Sequence, residues 1–180
     1  MKKAIRVCSI LCIALLLVGI MSCSNGSEPD TWTRVTNLNE LQGTWEGSET
    51  ETVEGDDGVI ASIKMTIKVQ YPVTEDGVTG LKMTEIIDMT DLVEKSAKVN
   101  NVSAEDVWEA VKVQVSAESG IAFSDERPYT MTAALFVPQE IVLESLTTEN
   151  SSLFVNESNT KLKLVDYAGD DTASIILYKK

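Results

Sequence analysis

The side chains that usually carry chemistry are scarce in this chain. No histidine occurs among its 180 residues, which removes the commonest general base and the commonest metal ligand. A Ser-His triad therefore has no base. Carboxylates remain, and they fall where turns are expected. Asp56-Asp57, Glu75-Asp76 and Asp170-Asp171 each stand beside glycine, the composition of a tight turn. None has the regular oxygen spacing of a calcium loop. The inventory points away from an enzyme, a bound metal or a cofactor.

One residue is placed to be modified. Lys2, Lys3 and Arg6 precede an apolar run from Val7 to Met21 that carries Leu15-Leu16-Leu17-Val18. This is shorter than the roughly 20 apolar residues of a membrane-spanning helix and has the layout of a cleaved signal peptide. It ends in Ile20-Met21-Ser22-Cys23, which resembles a bacterial lipoprotein lipobox, with Met21 bulkier than usual. The resemblance implies a signal peptide over residues 1–22 and a diacylglycerol on the Cys23 sulfur. Cys8 and Cys12 lie in the discarded segment, so the mature chain keeps a single thiol. An intramolecular disulfide, a cysteine nucleophile and a zinc site are then all out of reach. Ser24 rather than Asp after the cysteine favours, by the same resemblance, the outer membrane of the cell envelope.

Residues 23–37 read as the lipidated cysteine and a flexible tether, Gly- and Pro-punctuated around Gly26 and Pro29. Loss of residues 1–22 removes three basic side chains and no acids, leaving 12 basic against 28 acidic, net −16. Such a charge repels nucleic acid and anionic headgroups. The expected partners are the membrane, reached through acylated Cys23, and a small apolar ligand. No protein partner can be named from the sequence.

The remainder, 38–180, has the size of one domain. Asn37 or Asn39 can cap a short helical turn with Leu38 and Leu41 on one side. Val59, Ala61, Ile63, Met65, Ile67, Val69 and Tyr71 share one phase, and Ser62, Lys64, Thr66, Lys68 and Gln70 the other. That period of two marks a strand with one dry face, broken at Pro72. Leu81, Met83, Ile87 and Met89 continue the alternation, with Glu85 in the apolar phase, and Glu49 and Glu51 fall in the nominal inward phase of the preceding strand. Between about 91 and 117 the period becomes helical, with Asp91–Glu94 and Ser103–Asp106 as starts; the tail from Val111 reads as helix or strand. Strands resume at 129–137, 141–146, 153–155, 161–165 and 173–178. The total is about eight antiparallel strands, an all-β sandwich or up-and-down barrel with a helical insertion.

Gly43-Thr44-Trp45, after its leading turn, is similar to the G-x-W start of lipocalin-like (calycin) barrels. The resemblance implies an eight-stranded barrel whose closed end is plugged by Trp45. A base from the last strand lies across that ring in the family, and Lys179 or Lys180 stands in the corresponding place. The family's second motif, around a Thr-Asp pair, has no match. A ligand cavity would be lined by Ala61, Ile63, Met65, Met83, Ile87, Met89, Met131 and Leu135. Leu92, Val93, Trp108 and Val111 form either a lid over the open end or a helix face on the outer wall; inward-phase neighbours mark the lid, Lys64 and Thr66 the wall. A small barrel can equally be filled by its own side chains, and the alternative function is a surface module that contacts a protein partner.

Overall fold

The alternation along 59–71 requires a strand, and a long one forms. The computed structural model describes residues 31–54, 59–115, 121–124, 128–147, 153–166 and 173–180. Over these, β1 is Trp32–Arg34, β2 Gly43–Glu54, β3 Ile60–Glu75, β4 Val78–Asp88, β5 Ile121–Phe123, β6 Thr130–Pro138, β7 Leu153–Asn156, β8 Lys161–Asp166 and β9 Ala173–Lys179. The helices are α1 Thr90–Asn100, α2 Ala104–Val115 and α3 Gln139–Thr147, with a 3-10 turn at Leu38–Leu41. The described strands form one sheet in the order β1-β7-β8-β9-β2-β3-β4-β6-β5. The β-rich, antiparallel expectation holds. The sheet is not closed: its order ends at β1 and at β5, and it has nine strands where about eight were expected.

Contacts divide the chain into two units. Among the described residues, one holds Glu49–Thr66 and Glu85–Ala134, the other 31–48, Ile67–Thr84 and Leu135–Lys180. In the first unit the helices start and stop for local reasons. Ser103 Oγ accepts the Asp106 amide at 3.1 Å and donates to the Asp106 carboxylate at 2.7 Å, a reciprocal N-terminal cap. α2 then runs as helix to Val115, so its β-branched tail does not revert to strand. The Asp91–Glu94 cap expected for α1 does not form. Met89 occupies the cap position without a side-chain bond, and Asp88 Oδ1 takes the Thr90 amide at 3.0 Å. Asp91 reaches away from its own helix to accept the Ser62 amide at 2.7 Å. Asn101, left-handed at φ 51°, ends α1, as an asparagine tolerates.

In the second unit Asn37 caps the 3-10 turn. Its side chain accepts the Asn39 amide at 3.0 Å, while Glu40 takes the Thr36 amide at 2.9 Å. Leu38 and Leu41 are buried beneath. β3 does not stop at Pro72 but continues to Glu75. Asp76 and Gly77, at φ 49° and 80°, then make the two-residue turn into β4, for which positive φ at both positions suits the strand twist.

Two further sequence expectations fail here. Residues 141–146 are helix, within α3: Val142 and Leu146, four apart, are buried, while Ile141 and Leu143 face solvent. A short apolar run does not distinguish strand from helix. The stretch assigned to the tether contains β1, whose Trp32, Thr33 and Arg34 pair with Asn156, Val155 and Phe154. Val35 beyond it is fully buried and donates to the Leu153 carbonyl at 3.0 Å. Three residues are too few for a period to be read, and the same holds for β5. The expected turns at 55–58, 149–151 and 169–171 and the segment 1–30, with Cys23, lie outside the described residues.

Candidate functional site

Two constructions gather the residues singled out above, one in each unit. In the second unit, Trp45 is fully buried and its Nε1 donates to the Leu41 carbonyl at 2.9 Å. The 3-10 turn thus receives the indole's one polar atom. Trp45 pairs with Lys179 across β2 and β9, and Lys179 Nζ stands 4.8 Å from the ring centre, a cation-π contact. Gly43 is left-handed at φ 116°, and a Cβ there would come within 3.2 Å of Lys179 Cε. The glycine thus gives the lysine stem its path to the ring. Of the two lysines considered, Lys179 covers Trp45, while Lys180 pairs with Glu46 at 3.3 Å.

In the first unit, Val59, Ala61, Ile63, Met89 and Met131 are buried in one apolar cluster with Leu92, Val93, Trp108 and Val111; Val53, Ile87, Phe123 and Tyr129 pack against it. The helical side chains therefore meet inward-phase strand residues. Phe123 and Tyr129 stand edge-on to the Trp108 ring at 5.7 and 5.8 Å, the favoured aromatic geometry. Ser96 is buried in α1, and its carbonyl accepts from Asn100 Nδ2 at 2.9 Å.

The other candidate lining residues fare differently. Met65 is buried but stands outside this cluster, and Met83 is half-buried. Leu135 is 54% exposed and is removed from the lining. The alternation assigned to β6 does not persist: Thr130 and Met131 are both buried, Ala134 and Leu135 both exposed.

Burial perturbs two of the inward-phase carboxylates, Glu85 and Glu49. Desolvation pushes the Glu85 carboxyl above its ordinary value. Glu49 is raised too, first by burial and then by the neighbouring Glu51 charge. A carboxyl raised in the fold contributes stability below its unfolded pKa and loses it as pH rises through the folded pKa. Ionised Glu85 is thus a cost at neutral pH. Glu85→Gln is expected to raise the urea midpoint at pH 7 and to converge with the parent at pH 3. An equal gain at both pH values would assign the effect to packing.

Sequence reasoning missed a recess of about 270 Å³ lined by Thr50, Ser62, Lys64, Asp88, Thr90, Asp91 and Glu94. Outward-phase strand residues and the first turn of α1 supply it. Asp91 is held below the usual carboxylate range, chiefly by its bond to Lys95 at 2.8 Å and then by the Ser62 amide. Among the described residues, no group of three His, Cys, Asp or Glu side chains could hold a metal, and no helix is long and apolar enough to cross a membrane. No family model, curated protein or solved structure matches the chain.

Proposed function

We propose that the chain is an exported, lipid-anchored protein of the bacterial cell envelope, favouring the outer membrane. Its β-domain is a non-catalytic, lipocalin-like binding module for a small apolar ligand, neutral or cationic. The observation that carries the reading is the α1–α2 pair, whose apolar side chains meet the inward-phase residues of β3 and β4, as a lid would. Support for a lipocalin-like origin comes from the other unit. There the first long strand pairs with the last, and Lys179 crosses the Trp45 ring. An up-and-down barrel needs that pairing to join its two ends.

The ligand's charge follows from what shares the inward phase. Fatty-acid carriers fix the carboxylate with Arg or Lys. Here Glu49 and Glu85 are partly buried, and Lys64 is exposed on the opposite phase. Organic extraction of the purified full chain, followed by mass spectrometry, should release a neutral or amine-bearing apolar molecule. In titrations, oleyl alcohol or oleylamine should bind more tightly than oleate; the reverse order would refute the charge assignment.

A second reading rests on the same cluster. Leu92, Val93, Trp108 and Val111 already occupy the apolar space, as in a filled core whose outer surface contacts a protein. Extraction that yields nothing, with no binding of any of the three probes, would favour it.

A further inference from the structure

The outer face of β1, β7, β8 and β9 departs from the rest of this acidic chain. Cross-strand partners share a face. Trp32 pairs with Asn156 and Arg34 with Phe154; Phe154 pairs with Lys163; Lys161 pairs with Tyr178. The opposite face carries Val155, Leu162, Ile175 and Leu177, all buried; in the first set only Asn156 is buried, and the others are half-buried or exposed. The first set brings Trp32, Phe154 and Tyr178 together with Arg34, Lys161 and Lys163. Lys163 Nζ lies 5.7 Å from the Trp32 ring centre, and Tyr178 is 53% exposed. Among the described outward positions of these strands and of the adjoining start of β2, the only acid is Glu46, ion-paired to Lys180 at 3.3 Å. Glu157 stands in the turn beyond β7.

Aromatic rings mixed with Lys and Arg are the composition of a membrane interface. The chain itself says which surface is within reach. Eight residues separate Cys23 from Trp32, and fully extended they span about 30 Å. The tether runs in sequence directly into β1, the strand at one end of the sheet order, which carries Trp32 and Arg34. We infer that this outer face is a membrane-contact surface, seated on the phospholipid headgroups that hold the Cys23 anchor; the inference rests on the lipid-anchored reading above. Its basic residues meet lipid phosphates, and Trp32 and Tyr178 enter the headgroup layer. The net charge of the mature chain does not forbid this. At physiological ionic strength the screening length is about 8 Å, so headgroups respond to the face that meets them.

The test uses the full lipidated chain, reconstituted in vesicles of phosphatidylethanolamine and phosphatidylglycerol at a ratio of about 3:1 with brominated acyl chains, an anionic surface to which basic residues respond. Trp45 and Trp108 are buried, so quenchable tryptophan fluorescence belongs to Trp32. Flotation reads anchoring and quenching reads the face. The expected result is flotation of every variant, quenching in the parent, none in Trp32→Phe, and a fall to near background in Lys161→Glu/Lys163→Glu. Unchanged emission from Trp45 and Trp108 shows that the charge-reversed chain is folded. Flotation with Trp32 unquenched in the parent overturns the inference and leaves the face to a protein partner. Quenching undiminished by charge reversal overturns it too. Concentration-dependent protection of Lys163 from amine labelling in detergent assigns the face to a second copy. Failure of the parent to float refutes lipid anchoring and takes the inference with it.

Discussion

Trp108→Ala is expected to cost about 3–5 kcal/mol of unfolding free energy, the range for a large aromatic truncated in a core. The ring is 4% exposed, lies edge-on to Phe123 and Tyr129, and shares its cluster with Val59, Ala61, Ile63, Met89 and Val111. Each aromatic pair adds about 0.5–1.5 kcal/mol beyond area burial. A domain with about 5–15 kcal/mol of stability would lose a large fraction of it. Urea denaturation followed by far-ultraviolet dichroism measures the loss. A dye that fluoresces on apolar surface should bind the variant before the main transition, because loosening α1 and α2 uncovers the inward-phase ends of β3 and β4. A loss below about 1 kcal/mol, outside the range for buried aromatics, would show that the helices contribute little to covering that face.

The same cluster shows what was legible. The period-two run along β3 named its buried side chains in advance, because an antiparallel strand with one dry face has to alternate. Val59, Ala61, Ile63, Met65, Val69 and Tyr71 are all buried. The change of period after Met89 announced α1 and α2 for an equally direct reason, since Leu92, Val93, Trp108 and Val111 recur at helical spacing. Trp45 and its lysine were legible through a short motif plus one positional expectation. The sequence could not choose between Lys179 and Lys180; the register of β2 against β9 does.

The misses share one cause, elements too short or too evenly apolar for a period to act. Ile141-Val142-Leu143 reads as strand by residue type and folds as helix, its identity set by which two residues are buried four apart. β1 has three residues, and only its pairing with β7 reveals it. Leu135 falls inward only if the phase of Tyr129 and Met131 continues, and β6 does not keep that phase. Asp91 is a miss of another kind. Its position suggests a cap for its own helix, yet the amide it satisfies belongs to Ser62, 29 residues earlier, a partner invisible to local reasoning.

Cys23→Ala is expected to abolish anchoring outright. A thiol is the only nucleophile at this position that can receive a diacylglycerol, and alanine offers no atom for the new bond. Without that bond the peptide bond after Ser22 should stay uncut, because the lipobox reading makes lipidation the condition for cleavage. The variant should therefore run as a precursor that retains residues 1–22 and takes up no labelled palmitate. The energy scale makes the effect all-or-none. Each buried CH₂ contributes about 0.8 kcal/mol, so two or three acyl chains anchor stably where none would hold the chain. No other thiol can substitute, since Cys8 and Cys12 lie inside the apolar run itself. Palmitate label persisting in the alanine variant would place the attachment elsewhere. A processed, unlabelled product in both parent and variant would make residues 1–22 an ordinary signal peptide. In that case Cys23 is a lone exported thiol, and the membrane-facing role of the β1 face loses its anchor.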